Sequence, residues 1–132
     1  MKIIDSHIHV SNIESFKQTA SNISFLDYSS AGLREEFLKA GIVAAVGMGL
    51  TEQEPDGFPD SNSPNPMMLD LEAGIPDFVT TCPGINPVMI EKYGKTELER
   101  IEMVLSKPDV VGIKIYAGYY PYYVHDKVYE PI

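Results

Sequence analysis

The sequence predicts an α/β fold built on a parallel sheet, because apolar runs alternate along the chain with helix-like segments. The apolar runs are nearly continuous, as in strands that are covered on both faces. The chain has 132 residues, of which 44% are hydrophobic, and this is enough to form the core of one ordinary domain. We therefore expect a single domain, residues 1–132, in which strands and helices alternate.

Four strands are predicted from these runs and from the glycine or proline residues that bound them. They cover residues 2–10, 42–48, 78–82 and 110–116. Three helices lie between them, at about residues 30–40, 66–73 and 96–106, and residues 126–132 are expected to begin a fourth. Gly41 stops the first helix, Asn65 caps the second ahead of a proline, and a capping-box sequence starts the third at Thr96.

A long segment, residues 51–66, departs from this alternation. It contains four prolines interspersed with acids, serines and asparagines, so it is neither a central strand nor a helix interior. It follows the second strand and is expected to lie on the rim where the carboxyl ends of the strands emerge. A loop of this length is either a functional lid or a mobile connection, and both interpretations remain open.

The first strand ends in two histidines placed two residues apart, His7 and His9, with Asp5 two residues earlier. Side chains at positions i and i+2 of a strand share a face and lie about 6.5–7 Å apart along it, so both imidazoles can reach one ion. Asp5 is expected to support the site by holding a ligand imidazole in the right tautomer. The alternative is a strand end at which one histidine is solvated and the other is hydrogen-bonded.

Lys114 interrupts the fourth apolar run and shares a face with Gly112 and Tyr116. A buried charged lysine is costly, so it must be paired, neutralised or chemically changed. Reaction with carbon dioxide gives a carbamate that can bridge two cations, which makes Lys114 a candidate catalytic residue and metal ligand. The alternatives are that Lys114 pairs with an acid such as Asp5 or binds an anionic group of the substrate. Tyr116, and Asn86 just beyond the third strand, are candidates for substrate binding.

Composition restricts the classes of partner. The formal net charge is −9, from 19 acidic and 10 basic residues, which argues against binding to nucleic acid because no basic patch is available for phosphates. No run approaches the roughly 18 apolar residues of a membrane helix. The single cysteine, Cys82, excludes an intrachain disulfide and fits a reducing cytoplasm. We expect a soluble cytoplasmic protein that acts on a small molecule.

In the motif Asp-Ser-His-Ile-His at residues 5–9, the chain resembles the opening of the amidohydrolase superfamily, metal-dependent hydrolases built on (β/α)8 barrels. Lys114 and the two residues after it resemble the fourth-strand segment of amidohydrolase-2 and dihydroorotase-like members, in which the lysine is carbamylated and bridges two metals. By position, His7, His9 and Lys114 carry over as metal ligands. The resemblance implies one or two divalent ions, with Zn²⁺ expected, and hydrolysis of an amide, lactone or related carbonyl substrate.

A (β/α)8 barrel normally needs about 250 residues, so we expect this chain to form about four βα units, the first half of a TIM barrel. The family's distal histidines and catalytic aspartate have no counterpart in the sequence. A half barrel would expose an inward sheet face that includes Ile4, Ile8 and Val10 or their alternates. A second copy or a separate chain is expected to complete it. The alternatives are a non-catalytic barrel fragment or assembly module, and a decarboxylase of the same superfamily.

Overall fold

A parallel β-sheet organises the chain in a computed structural model that describes residues 1–9, 18–27, 29–49, 76–115, 117–118 and 120–132. Its strands are β1 (Ile3–Ile8), β2 (Ile42–Met48) and β3 (Val79–Cys82), and they are hydrogen-bonded in the order β1-β2-β3. Both pairings are parallel, as predicted. The bounds of β2 match the prediction, whereas β1 and β3 are shorter than predicted. The described chain is a mixed α/β fold with a small parallel sheet.

The predicted fourth strand is present only as two isolated parallel bridges to β3 and the residues after it. Val110 bridges to Thr81, and Lys114 bridges to Gly84. Between the two bridges, two residues on the β3 side (82–83) face three on the other side (111–113), which is the mismatch of a β-bulge. Pro83 lies between the two bridges and has no N–H to donate, so a continuous ladder cannot form there. The 110–115 segment nevertheless lies beside β3 and runs in the same direction.

Helix α1 (Ser30–Ala40) has the predicted bounds. The hydroxyl of Ser29 accepts a hydrogen bond from the backbone N–H of Gly32 and caps its start. Gly41 ends the helix in the left-handed region, at φ 74°, which a residue with a Cβ rarely adopts. One face of α1 contributes to the first core cluster, whose buried members are Phe37, Ala45 and Val79 and whose partly buried neighbours are Ile8, Leu33, Ile42 and Phe78.

Helix α3 (Lys95–Leu105) lies close to the third predicted helix at about residues 96–106, whereas α2 (Pro87–Tyr93), which precedes it, was not predicted. The predicted capping box is wrong, because Thr96 lies inside the first turn of α3 and no side chain caps that helix. Gly94 separates the two helices with φ 52° and ψ −122°, a conformation that favours glycine and lets the chain turn directly from one helix into the next. The second predicted helix, at residues 66–73, and the 51–66 loop lie outside the described residues.

A second core cluster holds α2 and α3 against the end of the chain. Its buried members are Ile85, Ile90, Ile101 and Tyr129. The predicted helix at residues 126–132 is instead a single 3₁₀ turn, Lys127–Tyr129. Pro131 has no N–H with which to continue a helix, and the Asp126 carboxylate accepts a hydrogen bond from the backbone N–H of Tyr123 instead of capping the turn. One π-helical turn, Ala20–Ser24, precedes α1.

The predicted open face of the sheet is only partly present. Ile4 is 68% exposed, but Ile8 packs against the first core cluster, so its prediction as part of an open face is wrong. The register of β1 against β2 shifts between Asp5 and Ile8, and a shift of this kind changes which side chains face α1. Val10 lies outside the described residues. In the described parts of the chain, no helix is both long enough and apolar enough to cross a membrane.

Replacing Phe37 with alanine is expected to lower the free energy of unfolding by about 3–5 kcal/mol, because it opens a cavity in the first core cluster. The adjacent residue Leu38 is 75% exposed, so Leu38→Ala is the matched control and should change that free energy by less than about 0.5 kcal/mol. Urea unfolding followed by circular dichroism measures both variants. Equal effects of the two substitutions would contradict the packing of α1 described above.

Candidate functional site

The two histidines of the sequence motif lie side by side at the carboxyl end of β1. His7 is in the strand, and His9 directly follows its last residue. Their Nε2 atoms are 3.0 Å apart, and the ring centroids are 4.9 Å apart with the planes inclined by 65°. Both residues are exposed. The structure therefore brings together the two imidazoles that the sequence selects, with one nitrogen of each ring facing the other.

A hydrogen bond across the sheet fixes the orientation of His9. Its Nδ1 lies 3.2 Å from the backbone carbonyl oxygen of Met48, the last residue of β2. A carbonyl only accepts, so Nδ1 carries the proton, and Nε2 of the neutral ring keeps its lone pair. In the neutral pair, His7 then donates its Nε2–H to Nε2 of His9. A backbone carbonyl behind the second ring nitrogen is the usual support of a metal-bound histidine.

The electrostatic surroundings keep His9 in the form that binds metals. Partial shielding from water lowers the pKa of the His9 imidazole below its usual 6.5, and the charges of His7 and Lys114 lower that pKa further. The hydrogen bond to Met48 acts in the opposite direction, but it is not the dominant cause. These surroundings favour the neutral imidazole of His9 over its charged form. A neutral imidazole is the species that coordinates a divalent ion.

The spacing of the pair suits a shared ion. Two nitrogens 3.0 Å apart could both reach one ion, because metal–nitrogen bonds are about 2.0–2.1 Å long. In the part of the chain that the structure describes, no group of three or more His, Cys, Asp and Glu residues is placed to hold a metal. The described residues thus provide two candidate imidazole ligands. Any further protein ligand has to be a different type of residue, such as Lys114, or has to come from outside the described residues.

Lys114 lies at the same edge of the sheet as His9, with β2 and β3 between them. Its backbone N–H donates to Pro83 and its carbonyl accepts from Ile85, at 2.8 and 2.9 Å, which fixes the main chain beside β3. The side chain is half-buried. Its positive charge lowers the pKa of His9 and also opposes the rise that burial causes in the pKa of Cys82. The ammonium group is therefore within electrostatic range of both the β1 and the β3 ends.

The other predicted site residues have separate positions. The Asp5 carboxylate accepts a hydrogen bond from the backbone N–H of His7 at 3.0 Å, so the contact shown is with the main chain and not with a ring. The side-chain oxygen of Asn86 caps α2, accepting from Val88 at 3.0 Å and from Met89 at 3.4 Å. Tyr116 lies outside the described residues. The roles predicted for these three side chains stay predictions.

Two further groups belong to this edge of the sheet, and the sequence analysis assigned no site role to either. No sequence pattern could have selected the Met48 carbonyl, because every residue has a backbone carbonyl. Cys82 is buried, and its sulfur would be 3.3 Å from a Cβ at Gly112, so the absence of a side chain there leaves room for the thiol. The position of Cys82 at the end of β3, level with the ends of the other strands, is the sequence signal that could have placed it near the site.

In metal-free protein, the His9 imidazole is expected to titrate below pH 6.5, because shielding and the charges of His7 and Lys114 disfavour its protonation. The unfolded chain then binds this proton first, so the free energy of unfolding falls as the pH falls through 6.5. Lys114→Gln should raise the His9 pKa, and Lys92→Gln on α2 serves as the control. Histidine NMR titration measures these values; an unchanged His9 pKa in Lys114→Gln would contradict the placement of the ammonium.

Comparisons with known proteins add no assignment to this geometry. No family model, no curated protein and no solved structure matched the chain. The observations that bear on function are accordingly the imidazole pair, its hydrogen bond to β2 and the nearby lysine. The resemblance to the amidohydrolase superfamily rests on the motif at residues 5–9 and on Lys114.

Proposed function

We propose that this chain carries part of the metal site of an amidohydrolase-type, metal-dependent hydrolase that acts on an amide, lactone or related carbonyl. The observation that carries the proposal is the His7–His9 pair, with Nε2 atoms 3.0 Å apart and the outer nitrogen of His9 held by the Met48 carbonyl. These features support a divalent ion at the pair, with Zn²⁺ as the expected ion. A cytoplasmic location belongs to the same proposal and rests on the single cysteine.

The sheet is compatible with the barrel part of the proposal. The strands follow one another in the order of the chain and are all parallel, and the 110–115 segment continues this order beside β3. Four consecutive parallel strands with helices in their connections are what the first half of a (β/α)8 barrel contains. Active sites of such barrels lie at the carboxyl ends of the strands, which is where the imidazole pair lies.

Each described residue has a defined task in this proposal. A bound divalent ion supplies an activated water and polarises the carbonyl of the substrate. His7 and His9 would hold the ion through Nε2, His7 after its proton has moved from Nε2 to Nδ1, and the Met48 carbonyl keeps His9 in the required tautomer. The neutral amine of Lys114 adds to carbon dioxide, forms an N–C bond and releases one proton. The resulting carbamate carries a negative charge and two oxygens as further ligands.

The site also needs groups that the described residues do not bring together. Metal hydrolases use at least three protein ligands and a base, and no cluster of three His, Cys, Asp and Glu residues occurs in the described ranges. In the proposal, a second copy or a separate chain supplies the remaining wall. Asn86 and Tyr116 are the proposed contacts for the small-molecule substrate. Neither a nucleic acid nor a membrane is a proposed partner.

The small number of candidate ligands favours a second possible function, which is not enzymatic. If the two imidazoles are the complete donor set, the chain is a non-catalytic barrel fragment or assembly module that binds a metal without hydrolysing a substrate. Metal content alone does not separate these functions. Hydrolysis by the reconstituted protein, assayed on amides and lactones with the ion present and absent, separates them.

Protein purified without chelator is expected to contain zinc or another divalent ion, and the double substitution of His7 and His9 by alanine should remove it. His125→Ala is the matched control, because this exposed histidine stacks on Tyr123, with ring centroids 5.6 Å apart, and is not part of the pair. Elemental analysis with circular dichroism as a folding check measures the outcome. The same metal content in the double variant as in the wild type would refute the ligand assignment.

Lys114 is expected to form a carbamate when the protein is supplied with metal and ¹³C-bicarbonate. The ¹³C NMR signal of the carbamate should be absent from Lys114→Ala and retained in Lys92→Ala, which removes an amine from α2. Loss of labelled carbon on acidification is the expected chemical signature, because protonation of the nitrogen releases carbon dioxide. A signal that survives in Lys114→Ala would show that another amine is modified.

A further inference from the structure

We propose that one divalent ion can join two copies of this chain, each of which contributes its His7–His9 pair. The proposal rests on metal binding by that pair, which is the first part of the proposed function, and it is independent of hydrolysis. It assigns a second use to the same imidazoles: a metal-dependent contact between copies. The partner surface is the carboxyl end of β1 in each copy.

The donor set is the first argument. Each copy presents two imidazole nitrogens 3.0 Å apart, and the hydrogen bond from Nδ1 of His9 to Met48 orients that ring with its Nε2 toward Nε2 of His7. An ion held by the pair would take the place of the hydrogen bond between these two nitrogens. A tetrahedral zinc site takes four ligands. Two pairs related by a two-fold axis through the ion provide these four. The contact is then isologous, with the same residues on both sides, as in most symmetric dimers.

Accessibility is the second argument. His7 and His9 are both exposed. β1 pairs with β2 on one side and is the edge of the described sheet on the other, since the 110–115 segment lies beyond β3. Ile4, in the same strand, is 68% exposed and would lose contact with water if a second β1 approached this edge. Pairs at an exposed strand edge can reach a common ion from two copies, which buried pairs cannot do.

Charge is the third argument, and it explains why the contact depends on the ion. Each chain has a formal net charge of −9, so two copies without metal repel each other. A divalent cation between the two imidazole pairs adds positive charge at the point where the copies meet. Repulsion elsewhere remains, so removal of the ion should separate the copies.

The stoichiometry follows from mass action. At half an ion per chain, each ion would be shared by the imidazole pairs of two copies, which together offer four ligands. When ions exceed chains, each pair binds its own ion and the copies separate. The fraction of joined copies should therefore rise, pass through a maximum near half an ion per chain, and fall again.

Sedimentation of metal-stripped protein, titrated with Zn²⁺ alone, tests this proposal. The mass should double near half an equivalent of zinc and return toward the single-copy value at several-fold excess. Lys92→Ala should leave the doubling unchanged, because Lys92 lies on α2 and is not part of the imidazole pair. His7→Gln and His9→Gln should each abolish it, and His125→Ala should retain it; circular dichroism verifies that every variant is folded.

Two results overturn the proposal, and they differ in what they say about the proposed function. Uptake of one zinc per chain without any doubling of mass at half an equivalent refutes the bridge but leaves the proposed metal site intact. No zinc uptake at any ratio refutes both. Association that is equal in zinc and in chelator also refutes the bridge, since the contact would then not depend on the ion.

Discussion

The backbone hydrogen bonds between β2 and its two parallel neighbours determine where the chemically active groups of this chain lie. Because all strands run the same way, their carboxyl ends meet at one edge of the sheet. His9 follows β1, Met48 ends β2 and Cys82 ends β3, while Lys114 lies beside the residues that follow β3. Residues more than 100 positions apart in sequence thereby come within electrostatic range of each other.

Local sequence signals predicted those elements of the fold whose bounds are determined by residues within one short segment. Ser29, the apolar spacing of α1 and Gly41 define that helix without help from the rest of the chain, and the bounds of β2 follow equally directly. The Asn-Pro signature at residues 65–66 recurs at residues 86–87, where Asn86 caps α2, a helix that was not predicted. Thr96 is not the cap because the conformation of Gly94 places the N-cap of α3 two residues earlier, at Gly94 itself.

The site was predictable to the extent that its geometry is local. The i, i+2 spacing was sufficient to bring His7 and His9 together, since both belong to one strand end. The hydrogen bond to Met48 depends on how β1 is aligned with β2, and the place of Lys114 depends on the bulge opposite Pro83. Both are properties of strand pairing. No pattern within a single segment encodes them.

The hydrogen bond between His9 and Met48 has a thermodynamic consequence, because it ties a ligand to the neighbouring strand. In the unfolded chain, nothing holds the His9 ring in one tautomer or direction, so the proposed ion would bind the paired strands better than the separated ones. Ligand binding of this kind stabilises the folded state by about 2.7 kcal/mol at 100 times the dissociation constant. An ion at His9 would thus stabilise the pairing of β1 with β2, and its affinity would measure the free energy of that pairing.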